Sequence, residues 1–232
     1  MIRIRRPKLS VVIPVFNEVK TVEQVVRTIV ALPVEKEIIV IDDYSTDGSR
    51  ELLKKLQTEL RLKLILHAKN KGKGEGVKNA VAHAKGEYLI VEDADSELDS
   101  ADILKMLTMM EEDPAIDMIN GNRDFSSGKT GPATYLAKFM ASFMILILFG
   151  KKIADPLCAY KLCKLNKFQS LHIQASRFGL ETEWLVKAIK KGWKIKEINV
   201  KYTPRGKKEG KKISLMDGFD IIMEIIKLRF AK

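Results

Sequence analysis

Residues 88–97 read Y-L-I-V-E-D-A-D-S-E, four side chains suited to a buried strand running into an acidic tip. A parallel sheet delivers the carboxyl ends of its strands to a cleft, so carboxylates at such a tip are placed to meet a ligand. Asp93 and Asp95 are two positions apart, and on extended backbone residues i and i+2 project to the same face. Paired carboxylates at that separation suit a hard divalent cation, Mg²⁺ or Mn²⁺, held by one or two carboxylates together with oxygens of a substrate diphosphate. Glu97 adds a third oxygen donor. A lone D-x-D also reads as a solvated acidic turn capping a helix near Ser100, so the surrounding elements have to decide.

Those elements alternate. Residues 9–16 form an apolar first strand. Thr21 and Gln24 then predict a capping box for a helix that turns Val22, Val25, Val26, Ile29 and Val30 inward and ends before Pro33. A strand over 37–42, a helix over 49–60 with Leu52, Leu53, Leu56 and Leu60 inward, a strand over 62–67, a helix over 77–85 stopped by Gly86 and a strand over 87–92 follow. Strand–helix alternation of this kind predicts an α/β fold, a mostly parallel sheet with right-handed crossovers and flanking helices. Its strand ends V-I-P-V-F-N-E, I-D-D-Y-S-T-D-G-S and E-D-A-D collect acidic and turn-forming residues at one edge.

The second half has a strand-like segment over 116–120, a helix over 179–191, a strand over 194–202 and two apolar helical segments. Over 133–149, Lys138 interrupts the apolar run and leaves 139–149, too short for a ~30 Å hydrocarbon core, so no transmembrane helix is expected. Over 214–230, Asp217, Asp220, Glu224 and Lys227 make one polar stripe, which predicts a C-terminal amphipathic helix whose remaining surface must be covered. The basic residues before the first strand do not make a signal peptide, because the following run is short, contains Pro14 and lacks a small-residue cleavage pattern.

At 232 residues the chain suits one well-cored domain, 1–232. Cys158 and Cys163 lack the spacing and histidine company of a zinc site and are expected as buried thiols. Trp184 and Trp193 are expected as packing anchors. The net charge of +11 calls for an anionic partner: nucleic acid, a membrane surface or a phosphorylated substrate. With 7% aromatic residues and no binding-module signature, nucleic acid is not the expected partner.

Seven segments, in order, resemble family 2 glycosyltransferases of the GT-A fold, and within them the dolichyl-phosphate mannosyl- and glucosyltransferase group. They are V-V-I-P-V-F-N-E (11–18), I-I-V-I-D-D-Y-S-T-D-G-S (38–49), N-K-G-K-G-E-G-V-K-N-A (70–80), E-D-A-D-S-E (92–97), G-N-R (121–123), D-P-L-C-A-Y-K (155–161) and the basic stretch 205–212. The resemblance implies a nucleotide-binding half, 1–124, and an acceptor- and membrane-facing half, 125–232. It places Pro14, Val15 and Glu18 in the first nucleotide-contacting turn and Asp42 and Asp43 in the second. Asp93 lies near sugar and ribose, and Asp95 is the metal ligand, followed by Glu97 where the family usually has glutamine. Gly72, Gly74 and Gly76 form no Walker loop; they read either as a connector or as a phosphate neighbour, with Lys73 beside the nucleotide. Arg123, Arg205 and Lys212 are expected on the acceptor phosphate, and guanidinium suits phosphate bidentately.

The reaction so implied moves a hexose from a nucleoside-diphosphate sugar to dolichyl or polyprenyl phosphate with inversion, GDP-mannose being the first choice of donor and UDP-glucose the second. A phosphate acceptor needs no general base, since its second ionisation lies at about pH 6. Transfer to a sugar hydroxyl is the alternative and would need a carboxylate base, Asp155 or Glu181. A lipid-linked acceptor further implies peripheral attachment at the cytoplasmic face of a membrane, directly or through a small membrane subunit, with Lys207, Lys208, Lys211 and Lys212 attracting anionic headgroups.

Overall fold

The computed structural model describes residues 6–126, 130–176, 179–205 and 215–230, the last without the side chains of 215–220. Strands β1 (Leu9–Val15), β2 (Lys36–Asp42), β3 (Lys63–Leu66) and β4 (Tyr88–Val91) alternate with helices α1 (Val22–Ala31), α2 (Ser49–Leu60) and α3 (Lys73–Val81). Then come α4 (Asp102–Glu112), β5 (Met118–Asp124), α5 (Pro132–Phe149), β6 (Lys161–Lys164), α6 (Leu165–Gln169), α7 (Leu180–Lys190), β7 (Ile195–Lys201) and α8 (Leu215–Phe230). The sheet runs β3-β2-β1-β4-β6-β5-β7. Strands β1 to β4 are parallel, as is the β5–β7 pair, and β6 lies antiparallel between β4 and β5.

Both faces of the sheet are covered at its centre, which explains why β1 and β4 are buried almost continuously while the edge strand β7, I-K-E-I-N-V-K, alternates. On β1, Leu9, Val11, Ile13 and Val15 pack with the inward residues of α1, α2 and α4, while Val12 faces α3, α6 and α7 together with Ile39 and Ile41 of β2. Strand β6 escapes sequence reading because K-L-C-K is four residues long and follows directly on the D-P-L-C-A-Y turn. The capping box at α1 does not form. Thr21 makes no side-chain cap there, and its hydroxyl donates instead to the Ala94 carbonyl at 2.7 Å, tying the helix entrance to the turn after β4.

Helix α5 corrects the expectation about spanning length. It runs for 18 residues, about 27 Å at 1.5 Å per residue, and is long and apolar enough to cross a membrane by length and composition. Ala141 and Ile145 bury one side of it against the domain, while Leu136, Phe139, Phe143 and Ile147 stand exposed along the other. Cys158 and Cys163 are free and buried, and Trp184 is fully buried with its ring edge-on to Phe168.

Candidate active site

Parallel β1, β2 and β4 end at one edge of the sheet, and the order reverses between β1 and β4, which places a crevice at their carboxyl ends. Strand β4 stops at Val91; after one more backbone bond, from the Glu92 amide to Val12, the chain turns at Ala94 and Asp95 and passes through Ser96 with φ 59°. Asp93 and Asp95 therefore stand on a turn and not on the extended backbone that the i, i+2 argument assumes. Their carboxylates still share one environment. Burial, and then the charges of Asp93 and Glu97, push the Asp95 carboxyl up to about 7, while its Oδ1 accepts the Glu97 amide at 3.0 Å.

Two cations from opposite ends of the chain hold this acidic edge. Lys73 Nζ, at the first turn of α3, lies 2.5 Å from both Asp93 Oδ1 and Glu181 Oε1, and these two carboxylates hold it protonated well above the ordinary lysine range despite burial. Glu181 sits in the first turn of α7, and Lys73 keeps it below the usual carboxylate range. Arg205, beyond β7, places its fork on Glu18 (Nη1 to Oε2 2.7 Å, Nη2 to Oε1 3.2 Å) and reaches Asp95 Oδ2 at 3.4 Å and Glu97 Oε1 at 3.8 Å. Glu97 is otherwise engaged, accepting the Tyr202 hydroxyl and the Arg205 amide, each at 2.9 Å.

Glu18, Asp93, Asp95, Glu97 and Glu181 thus face Lys73 and Arg205, an excess of negative charge that fits a divalent cation. Among the described residues no three His, Cys, Asp or Glu side chains form a ready-made cage. A hard cation here would take Asp95 and draw its remaining oxygens from a diphosphate and water, as Mg²⁺-type sites do.

Asp42 and Asp43 are turned inward. Asp42 accepts Arg50 Nε at 2.6 Å and the Ser45 amide, while Asp43 accepts the amides of Lys71 (2.8 Å) and Gly72 (2.7 Å) and binds His67 Nδ1 at 2.8 Å. Both carboxylates are buried and hold loops at the β2 end, where the sequence resemblance puts the second nucleotide-contacting turn. Asp43 pins the glycine loop and also takes its own amide bond to Val15, joining the β1, β2 and β3 ends. Within that loop Gly72 adopts φ 91°, which favours glycine, and a Cβ on Gly74 would lie 2.3 Å from the Ala175 carbonyl oxygen, so packing against 174–176 requires the second glycine. Pro14 and Val15 lie at the β1 end; the Glu18 amide donates to Ser49 Oγ at 2.9 Å.

Arg123 is also committed. Its Nε and Nη2 bind Asp155 at 2.7 and 2.9 Å, with Lys138 at 3.8 Å from the same carboxylate, and its guanidinium lies against the rings of Phe125 and Tyr202, which touch each other at 5.5 Å between centroids. This pairing compensates the fully buried Asp155 carboxylate, a structural role of Arg123 that the sequence does not show. Lys212 lies outside the described residues.

Sequence reading missed Glu92, Tyr160 and Tyr202. Glu92 has no pattern to mark it, yet burial, Asp93 and Asp95 push its carboxyl up to about 8, and Tyr160 donates to its Oε2 at 2.6 Å. A carboxyl raised in the folded state contributes its full stability below the ordinary value of 4.5 and loses it as pH rises through about 8. The melting temperature of the native protein is therefore expected to fall between those pH values relative to Glu92→Gln, whose amide mimics the neutral acid. Parallel melting curves across the range exclude this account.

Comparison with known proteins bears on the whole layout. The sequence model of the family described as Glycosyl transferase family 2 matches residues 10–180. Glycosyltransferase AglJ of Haloferax volcanii is 27% identical over 201 residues, covering 85% of this chain and 63% of that protein. Dolichyl-phosphate beta-glucosyltransferase of Saccharomyces cerevisiae is 25% identical over 253 residues, covering 96% of this chain and 74% of that protein. Among solved structures, glucosyl-3-phosphoglycerate synthase from Mycobacterium tuberculosis, in complex with Mn²⁺, UDP and phosphoglyceric acid, superimposes with a TM-score of 0.74 at 19% identity, over 97% of this chain and 80% of that one. At that identity the likeness speaks for the fold.

Proposed function

Because the chain belongs to glycosyltransferase family 2 and has the GT-A fold, we propose that it transfers a hexose from a nucleoside-diphosphate sugar to a polyprenyl or dolichyl phosphate. The observation that supports the acceptor class is the state of the two carboxylates named as candidate bases for a hydroxyl acceptor, Asp155 and Glu181. Asp155 is locked to Arg123 and Glu181 to Lys73, and in each case the cation offsets burial and holds the carboxylate below its usual range. Carboxylates stabilised as anions are weak proton acceptors, whereas a phosphate oxygen arrives already charged. Relatives named as dolichyl-phosphate beta-glucosyltransferases support the same acceptor and put UDP-glucose ahead of GDP-mannose as donor.

In this reading Asp95, with Glu97 nearby, holds Mg²⁺ or Mn²⁺, which when bound supplies charge to the leaving diphosphate. Solved relatives of the fold contain Mn²⁺. Asp93 and Lys73 order the donor side of the crevice, the lysine being placed to hold charge near the phosphates, while Asp43 fixes the loop that carries it. Arg205, from the acceptor half, reaches the acidic edge through Glu18 and Asp95. Incubation with radiolabelled UDP-glucose and GDP-mannose, offering polyprenyl phosphate and sugar-hydroxyl acceptors side by side, is expected to label the lipid phosphate. Label moving only to a hydroxyl acceptor overturns the proposal.

Such an acceptor stays in the bilayer, so the protein is further proposed to attach peripherally at the cytoplasmic face, directly or through a small membrane subunit. The exposed face of α5 supports direct contact, with Phe139 and Phe143 stacked at 6.3 Å between centroids. Lys207, Lys208, Lys211 and Lys212 lie outside the described residues. Replacing Phe139 and Ile147 by serine is expected to reduce flotation with anionic liposomes by more than tenfold, since each buried side chain contributes roughly 1.5–3 kcal/mol. Unchanged flotation of that variant removes α5 from the contact.

A further inference from the structure

Arg205 reaches carboxylates that leave two different strands: Glu18 after β1, and Asp95 and Glu97 after β4. We infer that Arg205 is the resident counter-ion of the cation site, competing with a divalent metal for Asp95 and Glu97, so that metal entry turns its guanidinium out of the acidic edge. The inference rests on the cation-site reading under Proposed function.

Space argues first. The Arg205 Nη2 lies 3.4 Å from Asp95 Oδ2, and a hard cation bonding that oxygen at about 2.1 Å with its own water shell needs the same volume. Charge argues in the same direction, because a guanidinium and a divalent cation on one cluster repel each other while each satisfies the same oxygens. The contacts of Arg205 are unequal. Its fork on Glu18 is well made, but among the described residues its buried Nε has no hydrogen-bond partner and lies 3.8 Å from Glu97 Oε1. An unmade bond at a buried N–H is costly, so the resident pose leaves one donor of the guanidinium unsatisfied and offsets part of what the Glu18 fork contributes.

The backbone makes the exchange a side-chain movement. Glu97 holds the Arg205 amide through its carboxylate at 2.9 Å, and the Glu97 carbonyl holds the Thr203 amide at 2.8 Å, so the chain around Arg205 is pinned beside β4 while the guanidinium can swing. Once displaced, the arginine offers its donors at the edge where phosphates are brought in, which couples arrival of the cation to binding of an anion.

The test measures Mn²⁺ alone, without nucleotide or lipid, by the electron paramagnetic resonance signal of the free ion during titration. Arg205→Gln is expected to bind Mn²⁺ roughly tenfold more tightly than the native protein, the scale of one charge-assisted contact, with Arg205→Lys in between. Adding Asp95→Asn to Arg205→Gln is expected to abolish the gain. Damage to the fold lowers affinity and cannot produce this order. Equal or weaker Mn²⁺ binding by both Arg205 variants, with Asp95→Asn alone still weakening it, overturns the competition and leaves the cation site standing. Absence of saturable Mn²⁺ binding in the native protein and in every variant overturns both.

Discussion

Asp95→Ala is expected to lower metal-dependent sugar transfer at least about a hundredfold, the scale of removing one preorganised charge contact from a transition state, while the protein remains folded. Both halves of the expectation come from the same geometry. Asp95 is held by the Glu97 amide at 3.0 Å and by Arg205 at 3.4 Å, a looser pairing than the 2.5 Å one of Asp93 with Lys73. It is also crowded by Asp93 and Glu97, so deleting it relieves repulsion and leaves Ile90, Val91 and the core beneath untouched. Transfer rates with and without added Mn²⁺, together with a melting curve, decide the matter. Native-level activity in the folded variant removes Asp95 from the metal site.

Arg123→Ala is expected to act mainly on stability, by about 3–5 kcal/mol, because it strands a buried carboxylate. Asp155 is fully buried, and its two oxygens take Nε and Nη2 of Arg123 in a bidentate pair; Lys138, 3.8 Å away, replaces only part of that charge. Removing both partners, as in Arg123→Met with Asp155→Leu, is expected to recover part of the loss, since no buried charge is then stranded, while the Arg123 and Leu157 amides lose Asp155 as acceptor. Denaturant titration of the single and double variants measures this. A stable Arg123→Ala protein with weakened use of charged substrates would show instead that Arg123 leaves Asp155 during the reaction.

Much of the layout was legible in the chain. Alternation of apolar strands with amphipathic helices determined the α/β class and the parallel order of β1 to β4, because burial on both faces of a sheet leaves a signature at every strand position. It also put Glu18, Asp93 and Asp95 at one edge, since strand ends in such a sheet point the same way. Charge pairing was not legible. Lys73 meets Glu181 across 108 positions and Arg205 meets Glu18 across 187, and a long side chain at the end of either element has several carboxylates within reach until packing selects one. The same limit applies to Asp42, Asp43 and Arg123. Their residue types suit ligand contacts and internal contacts equally, and the internal partners, Arg50, the Gly72 amide and Asp155, lie 8, 29 and 32 positions away in the chain. The type of each side chain and its strand end belong to the sequence; which oxygen each cation faces depends on distances of a few ångströms that only the folded chain sets.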